Sequence, residues 1–172
     1  MTAATHIDAE RRYSEIRSKA LSASEAVLNR KLPELKLSRI NKAALEAFKA
    51  WENHPKRRVD WDWFNDYGHF KFRYPKRFEA AVWHKNKLAS LTLGRPTYPR
   101  GTALRLDFIE ASPFDREIAV FAIVIVAMRT YADMLGAKEI RIMNPINDTV
   151  KNYYASHDFE YVAKGDYLYK RI

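Results

Sequence analysis

The hydrophobic pattern of the chain changes period along its length, and each change marks an architectural boundary. Over residues 8–31 the apolar positions Tyr13, Ile16, Ala20, Val27 and Leu28 fall at the spacing of one helical face. A second helix is predicted over 38–52, with Ser38 as its N-cap and Ile40, Ala44, Leu45, Phe48 and Trp51 along one stripe. Both read as amphipathic and surface-lying. Residues 54–76 then lose any period: Trp61, Trp63, Phe64, Tyr67, Phe70, Phe72 and Tyr74 stand among Lys and Arg, which reads as an irregular aromatic, basic connection.

From Arg77 the period becomes two. Segments 78–83 and 88–93 alternate and are joined by His84-Lys-Asn-Lys87, a short hairpin connection in which Asn86 suits positive φ. After a loop marked by Pro and Gly, 103–109 reads as a third strand, completing an antiparallel meander. Residues 118–135 form a long Ala-rich helix, apolar almost all round and therefore buried, ended by Gly136 at the C′ position. A strand over 138–143, a short helix over 147–157 and two closing strands, 159–162 and 167–172, follow. The predicted order is α-α-β-β-β-α-β-α-β-β. The passage 104–143 should cross over to give one parallel pair in an otherwise mostly antiparallel sheet.

No linker composition separates two halves, so the 172 residues are expected to form a single domain. A chain of this size buries roughly 70% of its unfolded surface and needs no covalent staple. It has no cysteine, which excludes disulfides, thiolate metal clusters and a Cys nucleophile. The longest apolar run, 118–128, is shorter than the roughly 20 residues that span a bilayer. With no export signal in the first residues, the expected location is the cytoplasm, away from membrane. His54, His69, His84 and His157 are scattered without carboxylates at ligand spacing, so no metal is expected.

The most specific local pattern is Asn147-Asp-Thr-Val150-Lys-Asn-Tyr153-Tyr154-Ala-Ser-His-Asp158-Phe159. Its spacing resembles the N-x-x-A-x-x-x-Y-x-x-x-G-F pattern of the GNAT N-acetyltransferase family. Val150 replaces the small Ala and Asp158 the Gly, while Asn147, Tyr154 and Phe159 match. The element order over 38–172 also resembles that family's α/β fold of the α+β type, a mixed, mostly antiparallel central sheet flanked by helices. Residues 1–37 would then be an extra N-terminal helical extension. The family's usual first strand is not evident in the pattern.

The resemblance implies transfer of an acetyl group from acetyl-CoA to a primary amine. The donor's pantetheine would lie where the strand before the long helix splays from the next, and its pyrophosphate on the amides opening that helix. Unpaired N–H groups and the helix dipole attract phosphate there without a basic side chain. The family's [QR]-x-x-G-x-[GA] loop falls on Phe114, Asp115, Arg116, Glu117, Ile118 and Ala119. Only Ala119 fits it; Glu117 brings a repelling carboxylate that Arg116 offsets.

An amine must lose a proton, attack the thioester carbonyl and expel a thiolate, so the site needs a base and an acid. Glu110, at the end of the third strand, is the expected base, with Asp107 the second choice. Tyr154 aligns with the family tyrosine that protonates the thiolate; its reference pKa of about 10 suits a leaving thiol of about 8.5. Asn147 either positions the pantetheine or caps its helix.

The formal charge of +9 supplies a rival reading. Residues 54–87 carry nine Lys and Arg against four acids, more than half of the total surplus. A GNAT-like fold without catalysis could use that basic region to hold nucleic acid or an acidic protein. The hairpin edge also offers a second copy a route to a homodimer.

Overall fold

Lys85 and Asn86 both sit at positive φ, 51° and 63°, and this two-residue turn fixes the register on which the sheet is built. In the computed structural model, which describes residues 3–114 and 117–172, it joins β2 (Phe78–His84) to β3 (Lys87–Pro96). The other elements are α1 (Ala3–Leu28), β1 (Leu35–Ser38), α2 (Lys42–Phe48), α3 (Trp63–Arg73) and β4 (Ala103–Ala111). They continue with α4 (Val120–Leu135), β5 (Glu139–Met143), α5 (Asp148–Ala155), β6 (Glu160–Val162) and β7 (Tyr167–Arg171). The seven strands are ordered β1-β2-β3-β4-β5-β7-β6. Among the described residues β4 and β5, joined by the crossover through α4, are the only neighbours that pair in parallel; α5 carries a second crossover from β5 past β7 to β6.

Each face of the sheet buries its own core. On one face Leu104, Leu106, Ile140 and Ile142 pack against Val124, Ala127 and Met128 of α4, with Ala20 and Leu21 of α1 alongside. On the other, Leu91 and Leu93 of β3 meet Phe48 of α2, Trp51 and the α3 residues Trp63 and Tyr67. Gly136 ends α4 in the left-handed conformation, φ 77°, as its position predicts.

Three sequence expectations are corrected. Ser38 does not cap a helix: it is the last residue of β1, paired with Ala81, and Asn41 caps α2 by accepting from the Ala44 amide at 2.9 Å. The first strand is four residues long, too short for alternation to stand out. Residues 63–73 are not irregular. Asp62 caps α3 through the Asn65 amide, 3.1 Å, and Trp63 and Tyr67 turn one helical face into the core.

Nor does α1 merely lie on the surface. Its Arg17, 1% exposed, donates to the carbonyls of Pro75 and Arg77 and to Glu10. Arg77, wholly buried, bridges Glu10 (2.8 Å) and Glu79 (2.6 Å). Glu79 in turn accepts from the Tyr67 hydroxyl and the Ile40 amide. The alternation of charge in one buried cluster locks α1, β2, α2 and α3 together, because buried charges persist only where each is paired.

Candidate active site

The site begins with a missing side chain. Gly94 of β3 faces Leu106 while its neighbour Leu93 faces Phe108, so Asp107 is an extra residue bulged out of β4. A Cβ on Gly94 would stand 2.3 Å from the Arg105 carbonyl oxygen, so only glycine lets the strands approach here. The parallel ladder of β4 with β5 covers Ala103 to Leu106 and stops at this bulge. β5 ends at Met143 while β4 continues to Ala111 on β3 alone, and the open edge of β4 past the end of β5 is the wedge.

On the α3 side the bulge forms the floor of a cavity of about 580 Å³. Asp107 and Phe108 line it from β4, Trp61 and Phe70 from the opposite wall, and Asn144 from the end of β5. The Asp107 side chain is 7% exposed and shared by Arg105, Nη2 to Oδ1 at 2.6 Å, and Arg95, Nε to Oδ2 at 3.3 Å. Burial raises its pKa, against the opposing pull of the two guanidiniums.

Glu110 lies farther along β4 and is sealed. Its Oε2 accepts from Arg57 Nε at 2.7 Å, and its Oε1 from Arg57 Nη2 at 3.1 Å and Trp63 Nε1 at 2.7 Å. Arg57 donates further to the Trp61 carbonyl and lies over the Phe48 ring, 5.0 Å from its centroid. Arg57 comes from a loop more than fifty residues upstream of Glu110.

The remaining predicted positions, Asn147 apart, lie around the start of α4. Ala119 is its N-cap and supplies no side-chain bond, and Ile118 is buried in the core below. Glu117 turns outward to Lys85 at the hairpin tip, 2.7 Å, rather than across the helix start. Phe114 is half-exposed against His54, and Asp115 and Arg116 lie outside the described residues. Tyr154 packs on Phe121 in the first turn of α4, ring centroids 4.8 Å apart, and burial, then Tyr153, pushes its pKa up to about 12. Asn147 caps α5, its Oδ1 accepting from the Val150 amide at 2.9 Å.

Sequence reasoning missed Arg57, Trp63 and Gly94. A glycine inside a strand is a bulge signal, and Trp63, Tyr67, Phe70 and Tyr74 stand at helical spacing, so two of these features were readable. The pairing of Arg57 with Glu110 has no local signature. The basic surplus of residues 54–87 is not one exposed face: Arg57 is spent on Glu110, Arg77 on Glu10 and Glu79, and Lys85 on Glu117. Among the described residues no three His, Asp or Glu converge as metal ligands, and no helix is long and apolar enough to cross a membrane.

No family profile and no curated protein matches the chain. Solved structures do. An acetyltransferase of the GNAT family from Staphylococcus aureus aligns with a TM-score of 0.61 at 10% identity, over 80% of this chain and 98% of that one. The ribosomal-protein-S18-alanine N-acetyltransferase of Escherichia coli aligns at 0.57 and 11% identity, over 80% and 94%. The chain has the GNAT fold. A Neisseria gonorrhoeae N-acetylglutamate synthase complexed with coenzyme A and N-acetyl-glutamate shares it too, with a TM-score of 0.58 and 8% identity, over 80% of this chain and 35% of that one. In this GNAT fold β1, invisible in the sequence pattern, takes the edge beside β2, and α1 is the extra N-terminal helix, ending at Leu28 before β1 begins.

Proposed function

We propose that this chain is an N-acyltransferase moving an acetyl group from acetyl-CoA to a primary amine held in the α3 cleft. The observation that carries the reading is the meeting of wedge and cleft at one bulge: a thioester lying between β4 and β5 and an amine lying under α3 would both reach the Asp107 region. The residues present fit the donor. The amides opening α4 face no capping side chain, and the Glu117 carboxylate, the expected obstacle to a diphosphate, is drawn off by Lys85. Phe114, Asp115, Arg116, Ile118 and Ala119 would complete that loop.

Asp107 serves as the base in preference to Glu110. Both carboxylates are paired on both oxygens, but Asp107 lines the cleft, as Glu110 does not, and its Oδ2 holds only Arg95, at 3.3 Å. Asp107 accepts a proton from the ammonium and passes it to solvent, the freed nitrogen attacks the thioester carbonyl carbon, and as the C–S bond breaks the nitrogen gives its second proton to Asp107. Tyr154 donates its phenolic proton to the departing thiolate and recovers one from solvent. Its raised pKa keeps that proton in place at every ordinary pH. Glu110 acts through Arg57 and Trp63 as a positioning residue for the cleft wall, and Asn147 fixes the start of α5.

Acetyl-CoA at millimolar concentration should raise the melting temperature, because a ligand bound only by the native state stabilises it by RT ln(1 + [L]/Kd). Addition of an accepted amine should then release free thiol. Absence of any thermal shift would remove the transferase reading.

A further inference from the structure

Charge is sorted along the cleft. Asp62 and Asp66 stand at the start of α3 and Arg73 at its end, and all three line the cavity. The acidic end lies with Trp61 over Phe108, ring centroids 5.0 Å apart, on the side where β4 leaves β5. At the other end Arg95 stacks on Tyr74, 4.3 Å from its centroid, and Arg105 reaches in from β4 beside it. These two guanidiniums share the single carboxylate of Asp107, and Arg73, over the same Tyr74 ring at 5.5 Å, has no ion-pair partner among the described residues. The basic end therefore holds three cations against one anion. Phe70, Phe108 and Leu93 supply an apolar lining between the two ends.

We propose that the acceptor amine carries an anionic group, a carboxylate or a phosphate, across an apolar segment, and that Arg73, Arg95 and Arg105 bind that anion. The inference rests on the amine-acceptor reading above and names the substrate class within it. The amine lies at the wedge end, near Asp107 and Phe108, where the acids of α3 favour a cation. The anion lies at the arginine end, where a planar guanidinium pairs with carboxylate or phosphate on two N–H groups. Asp107 stands between the two groups, facing the amine on one side and Arg95 and Arg105 on the other, so the two charges of the acceptor lie on either side of that carboxylate. A polyamine would place a second cation against the arginines, and an unsubstituted alkylamine would leave them unpaired.

Trp61 and Trp63 flank the cleft, so their fluorescence reports occupancy without any acetyl-CoA present. The probes are 6-aminohexanoate, 5-aminopentyl phosphate and 1-aminohexane, which share an amine and a chain of similar length but differ in the far group. Both anionic probes should bind about tenfold or more tightly than 1-aminohexane. Either order between the two upholds the proposal and identifies the anion. Arg73→Gln, at an exposed position outside the Asp107 pairing, should shrink that ratio severalfold while leaving the melting temperature unchanged. Arg95→Gln should shrink it as well. Equal binding of the three probes, no binding of any, or a ratio untouched by both variants overturns the proposal. A missing thermal shift with acetyl-CoA would instead sink acetyl transfer while leaving the probe ratio standing, so the two failures read differently.

Discussion

Arg57 grips Glu110 by two parallel hydrogen bonds, Nε to Oε2 at 2.7 Å and Nη2 to Oε1 at 3.1 Å, with the Trp63 indole closing the third side. The two side chains are 12% and 4% exposed, so truncating one strands the other's charge in the core. Arg57→Ala should lower unfolding free energy by about 3–5 kcal/mol in urea titrations. Glu110→Gln should also lower the denaturation midpoint, yet leave the acid limb of the rate profile in place. Loss of that limb in Glu110→Gln would return the role of base to Glu110.

Asp107 is held above the ordinary carboxylate value by burial, even with Arg105 and Arg95 beside it. A base works only when deprotonated, so kcat/KM should rise with pH through a value above about 3.9 and then level. Asp107→Asn should remove this limb and reduce kcat by about 10²- to 10⁴-fold. A variant that keeps the limb disproves the assignment.

Tyr154 loses its proton only near pH 12, so activity should show no alkaline loss attributable to it below pH 10 or so. In Tyr154→Phe the ring still packs on Phe121, and the melting temperature and the shift with acetyl-CoA should both survive. Turnover should fall markedly. Unchanged turnover would leave Tyr154 a packing residue only.

The bulge at Asp107 depends on Gly94. Gly94→Ala places a methyl 2.3 Å from the Arg105 carbonyl oxygen, backbone against backbone, so the strands must separate. A stability loss of about 1–3 kcal/mol is expected from the overpacking alone. Because the wedge starts at the same place, the thermal shift with acetyl-CoA should weaken more in this variant than in a core variant of equal stability, such as one at Ile123.

Glu10 gives the buried cluster a pH signature. Burial raises its pKa, but hydrogen bonding and charge from Arg77, with help from Arg17, outweigh that and hold it below its usual value. A depressed carboxylate contributes stability above its unfolded pKa, near 4.3, and loses it as pH falls through the lower folded value. Glu10→Gln should therefore flatten the fall in stability below about pH 4. An unchanged acid profile would remove Glu10 as the sensor.

The half of the chain from Arg77 onward was legible because its signals are local. Alternation over 78–93, the turn at Lys85 and Asn86, and Gly136 past an apolar helix each depend on neighbours within a few residues. The first half hid its structure for the opposite reason. β1 is only four residues long, and its strand identity comes from pairing with β2 more than forty residues away. α3 announced itself through Asp62, Trp63 and Tyr67, but the surrounding basic and aromatic residues masked the period. In the proposed site, Tyr154 and Asn147 were named through a spaced motif, whereas the preference for Asp107 over Glu110 turns on which carboxylate the folded chain leaves lining the cleft. Pairing across the sheet is invisible to any local pattern.

The N-terminal helix was expected to be an appendage, but Arg17, Glu10 and Arg77 make it a wall. A shortened version starting at β1 would strip Ala20 and Leu21 from the flank of α4 and take away one of the two carboxylates that neutralise Arg77. Anyone trimming this protein for crystals or fusions would thereby turn an inner surface outward, and the shortened product should clump rather than fold.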